Sequence, residues 1–153
     1  MAQKDFQNAE LKGRSILEKY LKQSKFTKTY NFTDDIYTHY DCEVYNNKNE
    51  RILIELKYRE NYSSSSPVIN NGGILMEKSK YDFLLDEVKK NPSTKCYYTS
   101  IFNDGKMLLY EIKPENNITI INKQLPKATA EDRGENVRPV ILINKNDCIE
   151  ITL

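Results

Sequence analysis

Tyr37-Thr38-His39-Tyr40-Asp41-Cys42-Glu43-Val44-Tyr45, the linker Asn46-Asn47-Lys48-Asn49-Glu50, and Arg51-Ile52-Leu53-Ile54-Glu55-Leu56-Lys57-Tyr58 decide how this chain reads. Strand side chains alternate between two faces, so Ile52, Ile54 and Leu56 share one face while Leu53, Glu55 and Lys57 share the other. The first face is built to pack on helices. On the second, an acid and a base stand two residues apart in an apolar segment, where a charge is costly without a partner or a task. Residues 37–45 alternate too, with Tyr37, His39, Asp41, Glu43 and Tyr45 on one side. The Asn-rich linker suits a hairpin turn. Pairing Tyr45 with Arg51 then sets Glu43 against Leu53, Asp41 against Glu55 and His39 against Lys57. A slip of one residue would turn Asp41 to the wrong face.

Facing carboxylates about 4.5–5.5 Å apart at Cβ repel unless a cation lies between them. A site of oxygen donors suits a hard cation, Mg²⁺ or Mn²⁺, better than zinc. Phosphodiester hydrolysis uses such a site with a lysine beside it: the cation activates water and neutralises charge on the phosphate.

Asp41, followed by Glu55-Leu56-Lys57 on the next strand, resembles the signature of the PD-(D/E)xK nuclease superfamily, although Tyr40 stands where that signature has proline. The order of elements resembles that fold as well. The resemblance implies an α/β (α+β) chain with a restriction-endonuclease-like αβββαβ core over about residues 1–104. Its mixed central sheet would be flanked by helices, with extra C-terminal strands over about residues 105–153 of one domain. It further implies a Mg²⁺- or Mn²⁺-dependent nuclease of bacterial or phage type, DNA being the foremost substrate and a homodimer the common assembly. Asp41, Glu55 and the backbone carbonyl of Leu56 would hold the metal, and Lys57 would stabilise the transition state. An acid on the first helix often joins such a site; Glu18 borders that helix's apolar stripe, with Glu10 as second candidate. A lysine of the second helix, Lys80 ahead of Lys78, would complete it.

Composition agrees with a single soluble domain: 153 residues, 39% hydrophobic and 29% charged. No apolar run approaches the length of a membrane span and Met1-Ala2-Gln3-Lys4-Asp5 opens no signal peptide, so a cytoplasmic address is expected. Richness in Asn, Lys and Ile fits an A·T-rich genome. Cys42, Cys96 and Cys148, odd in number and each in a predicted strand, read as reduced thiols. The net charge of +1 does not advertise nucleic-acid binding, but residues 12–28 carry Lys12, Arg14, Lys19, Lys22, Lys25 and Lys28 against Glu18 alone, a candidate phosphate-facing ridge.

Around this centre, residues 5–23 read as a helix, 26–33 as a strand, 74–91 as a second helix, and 94–103 with 106–112 as a hairpin about Asp104-Gly105. Residues 58–66 form a candidate substrate loop in which Arg59 reaches phosphates and Tyr62 stacks on a base. Residues 118–122 read as a strand and 125–139 as a long loop; 140–144 and 148–153 read as a closing hairpin that extends the sheet. His39, the single histidine, has no cluster to join. Two other readings stand beside the nuclease: a nuclease-like domain that binds DNA or a protein without cutting, and a small β-rich interaction protein.

Overall fold

The computed structural model describes residues 2–33, 39–126 and 135–153. A long helix α1 (Ala2–Gln23) leads into the strands β1 (Thr27–Phe32), β2 (Cys42–Asn46) and β3 (Arg51–Arg59). Then come α2 (Pro67–Gly72), β4 (Ile74–Glu77), α3 (Lys78–Lys90), β5 (Lys95–Phe102) and β6 (Lys106–Ile112). β7 (Thr119–Pro126), β8 (Glu135–Ile143), a 3₁₀ turn Lys145–Asp147 and β9 (Ile149–Thr152) complete the chain. The architecture is mixed α/β: a six-stranded sheet in the order β1-β2-β3-β5-β6-β9 and a three-stranded sheet in the order β4-β8-β7. β3 and β5 run parallel, which requires the crossover through α3, and the other neighbours are antiparallel.

The period-two pattern of residues 51–58 decides what lies on each side. Ile54, with Ile52 and Leu56, joins Leu17 and Leu21 of α1, Cys42, Val44, Ile101 and Met107 in one apolar cluster. Leu53 faces the other way, toward Tyr81 and Leu84 of α3, Ile74 and Met76 of β4, and Ile141 and Ile143 of β8. Each fully buried aliphatic side chain contributes roughly 1.5–3 kcal/mol, so the large sheet is held from both faces. Gly13 lets α1 lie close on β3: a Cβ there would stand 2.9 Å from Cβ of Tyr58 and 3.4 Å from Cδ2 of Leu56. The β5–β6 turn forms at Asp104-Gly105, where Gly105 takes φ +75°.

The register expected for β2 and β3 is present from Tyr45 opposite Arg51 through Glu43 opposite Leu53 to Cys42 opposite Ile54, but the ladder ends there, so the expected pairing of Asp41 with Glu55 is not part of it. Several other expectations are corrected. The first strand of this pair begins at Cys42 and not near Tyr37; Tyr37 and Thr38 lie outside the described residues. His39 does not face Lys57, its ring packing instead on Phe83 with centroids 4.9 Å apart. Residues 74–91 are a strand and then a helix, because Ile74 and Met76 alternate into the core while Ile74–Glu77 pairs with β8. The supposed long loop 125–139 is largely strand at its ends, in β7 and β8, and Lys127, Thr129, Arg133 and Gly134 lie outside the described residues. Residues 140–144 and 148–153 form no hairpin, since β8 pairs with β4 and β7 while β9 pairs with β6. The C-terminal strands thus extend one sheet and build most of another. Cys148 sits just ahead of β9, and all three thiols are free. Among the described residues no helix is long and apolar enough to cross a membrane.

Candidate functional site

Glu55 follows Leu53 on the α3 side of β3 and is only 6% exposed. Burial is the main cause that pushes its carboxyl pKa up to about 7, and the negative charge of Asp41 adds to it. Lys80, in the first turn of α3, works against that rise by donating from Nζ to Glu55 Oε1 at 2.9 Å. On the lysine, burial favours loss of the proton, but Glu55 and then Glu77 outweigh it and raise the pKa. Both pKa values rise, which favours the charged lysine but the neutral acid: Lys80 is the less buried partner and meets two acids, whereas Glu55 has a second acid against it.

Asp41 stands where the β2–β3 ladder ends. Its N–H donates to the Ile54 carbonyl at 2.8 Å, and its Oδ2 accepts the N–H of Leu56 at 2.8 Å. The carboxylate therefore takes over from the backbone ladder at Leu56, and its charge reaches Glu55. Its other oxygen, Oδ1, accepts from Nη2 of Arg14 at 3.1 Å. Arg14 also donates from Nη1 to the Thr33 carbonyl at 2.8 Å, lies 5.6 Å over the ring of Phe32 and has Glu10 one helical turn back at 3.7 Å. A charge-assisted bond of this kind is worth roughly 1.5–3 kcal/mol where water is partly excluded.

Lys57 is exposed by area, yet packing around its ammonium group lowers its pKa; the positive charges of Arg59 and Lys80 add to this, while Glu55 and Glu77 oppose it. Glu77 accepts from Nη1 of Arg138 at 3.0 Å, which ties the end of β4 to β8. Arg59 donates from Nη2 to the Tyr98 hydroxyl at 3.0 Å and the Leu75 carbonyl at 3.2 Å. Tyr98 itself donates to Leu75 at 2.9 Å, so β3, β5 and β4 are pinned together beside the acids.

Of the residues singled out by sequence, Asp41, Glu55, Lys57 and Lys80 converge, and Leu56 joins them through its backbone. Glu18 does not; it pairs with Lys22 at 3.7 Å, and the helix acid whose charge reaches Glu55 is Glu10. Lys78 binds Asp82. Arg59 is turned inward to Tyr98 and Leu75 instead of outward to a phosphate, whereas Tyr62 is 42% exposed and Lys22 and Lys25 are exposed on the far end of α1 and its turn. Arg14, counted on sequence in a phosphate-facing ridge, is the principal residue missed. Its neighbour Gly13 carried the signal, because a glycine within a helix marks close approach to another backbone and puts the next side chain at that contact's rim.

Two nearby carboxylates, one held protonated to about pH 7 by burial and by the other's charge, describe a place short of positive charge. Asp41 and Glu55 in this sense fit a hard divalent cation as a pair of oxygen donors. Among the described residues no group of three or more Asp, Glu, His or Cys is arranged around one point, so further ligands would be backbone carbonyl or water. A cleft of about 450 Å³ lined by Val88, Pro92, Thr94 and Lys113 shares none of these residues. No protein-family model matches the chain, and no curated protein matches it significantly.

Proposed function

We propose that the protein is a Mg²⁺- or Mn²⁺-dependent phosphodiesterase that hydrolyses nucleic acid, DNA foremost, with Asp41, Glu55 and Lys57 at its centre. One observation carries this reading: Glu55 is buried beside Asp41, its pKa is raised to about 7, and Lys57 follows two residues on along the same strand. Perturbed acids and bases gathered in this way mark functional sites more often than structural accidents. The succession α1-β1-β2-β3-α3-β5, interrupted by α2 and β4, with β3 parallel to β5, supports a restriction-endonuclease-like αβββαβ core.

Asp41, Glu55 and the Leu56 carbonyl would hold the metal, which when bound supplies an acidified water and charge neutralisation at the phosphate. The remaining work falls to the chain itself. Arg14 and the Leu56 N–H orient the two oxygens of Asp41, and Lys80 orients Glu55. Lys57 would hydrogen-bond the phosphate oxygens that gain charge. The second reading, a domain that binds without cutting, draws on a specific observation: Arg14 and Lys80 already partner both acids.

Cleavage of plasmid and branched DNA in Mg²⁺ and Mn²⁺ tests the proposal beside Asp41→Asn, Glu55→Gln and Lys57→Ala. Loss of activity in all three, with folding retained, is the expected result; activity that survives in all of them removes these residues from the mechanism. Calorimetry with Mn²⁺ separates the second reading, which expects no heat dependent on Asp41.

A further inference from the structure

The end of the molecule away from Asp41 carries an arrangement that the catalytic proposal does not use. The turn between α1 and β1 and the turn between β2 and β3 brace each other. Asn47 donates its backbone N–H to the Phe26 carbonyl at 3.0 Å and its side-chain amide to the Lys25 carbonyl at 2.6 Å. Lys28 reaches across to Asn49 Oδ1 at 2.9 Å, and the Phe26 N–H is held by Ser24 Oγ at 3.3 Å. On this fixed base the Phe26 side chain is 76% exposed, more than any other large apolar side chain among the described residues. Lys25, Lys28 and Lys48 are exposed around it. Of the acids at this end, Glu18 faces Lys22, while Glu50 accepts from the neutral Asn46 amide at 3.0 Å and leaves a single negative charge against the three lysines.

We propose that Phe26, ringed by Lys25, Lys28 and Lys48, is a stacking platform for an unpaired base of single-stranded nucleic acid. A rigid aromatic face within a positive surface meets the two demands of that ligand, a surface for the base and charge for the backbone. A duplex keeps its bases stacked on one another and offers Phe26 nothing to stack on. An anionic membrane would meet the lysines equally, but the apolar contact would be one ring set among Asn46, Asn47 and Asn49, with no amphipathic face to bury. From Arg51, at this end, to Glu55 is four residues, about 13 Å along β3. That strand is covered by α1 on one face and α3 on the other, so the platform and the acids share no path along it. The inference stands independently of the proposed nuclease reading.

The test uses the full chain carrying Glu55→Gln in EDTA, so that binding is read without cutting, with fluorescein-labelled oligothymidine and a mixed-sequence duplex followed by anisotropy. Tighter binding of the single strand is expected, with Phe26→Ala weakening it about 5- to 100-fold and leaving the duplex unchanged. Phe26→Tyr should restore it. Lys25→Gln, Lys28→Gln and Lys48→Gln together should weaken both ligands and reduce the salt dependence of single-strand binding by roughly two in log–log slope. Binding indifferent to Phe26→Ala, equal affinity for duplex, no oligonucleotide binding, or a response only to phosphatidylserine vesicles would each overturn the proposal. Failure of the nuclease reading looks different: Phe26-dependent binding persists, while wild-type protein in Mg²⁺ cuts neither strand form.

Discussion

Glu55 makes the acid–base balance of this protein measurable. Its carboxyl pKa is raised from 4.5 to about 7, chiefly by burial and then by Asp41. At 1.36 kcal/mol per pH unit, a rise of that size corresponds to ~3 kcal/mol of stability. Because the folded state keeps a proton that the unfolded chain has lost, this contribution is largest below about pH 4.5. It is withdrawn as the pH climbs toward about 7, with a limiting slope near 1.4 kcal/mol per pH unit. Urea unfolding at intervals from pH 4 to 8 should show this decline in the wild type. Glu55→Gln cannot titrate, so its profile should lack that component; the offset between the two will also contain about 1–3 kcal/mol for a Lys80 left without its carboxylate. Comparing slopes removes that offset and the acids that titrate elsewhere. Profiles that run parallel from pH 4.5 to 7 would refute the claim that burial governs Glu55. The same proton should be released when Mn²⁺ binds: nearly one at pH 6, falling toward none above pH 8, and none in Glu55→Gln, read by calorimetry in buffers of different ionisation enthalpy.

Gly13→Ala would place a Cβ 2.9 Å from the Cβ of Tyr58, which has no flexible end to move. The resulting overpacking of about 1–3 kcal/mol should exceed the ~1 kcal/mol gained in helix propensity, lowering Tm by several degrees in a thermal scan. Arg14→Ala removes the bonds to Asp41 and Thr33 and should cost roughly 1.5–3 kcal/mol in urea unfolding, while Glu10→Ala, whose partner is 3.7 Å away, should cost well under ~1 kcal/mol. The pKa values of Cys42, Cys96 and Cys148 are all raised to about 12 by burial, so a thiol reagent at pH 8 should label the native protein slowly and all three sites promptly in urea.

The central hairpin was legible because its information is local. Alternation in residues 51–58 fixed the two faces of β3, and the Asn-rich linker fixed the register from Tyr45–Arg51 to Cys42–Ile54. Where the strand should begin was not legible, because the ladder stops when an aspartate side chain takes the Leu56 N–H and Thr33 takes the Asp41 carbonyl, a choice that periodicity does not encode. Residues 74–91 misled for another reason: a strand of four residues abuts α3 without a break, and its partner β8 lies far along the chain. The site shows the same division. Glu55 and Lys57 declared themselves as charges on an apolar strand, whereas Arg14 is set inward by a tertiary contact at Gly13.

The network around Glu55 is a poor stability device. Buried ion pairs are often no better than apolar side chains of the same volume. This pair is worse than most, because Lys80 does not return the Glu55 pKa to its ordinary value against burial and Asp41. A leucine facing Tyr98 and α3 would remove the penalty altogether. The acid is nevertheless bound by a lysine from α3, and the aspartate whose charge reaches it is held by Arg14 from α1. Two elements distant in sequence thus fix the surroundings of a group whose charged form the fold disfavours. That expense is intelligible if the deficit of positive charge is met by a ligand, and it supports reading Asp41, Glu55 and Lys57 as a site and not as scaffolding.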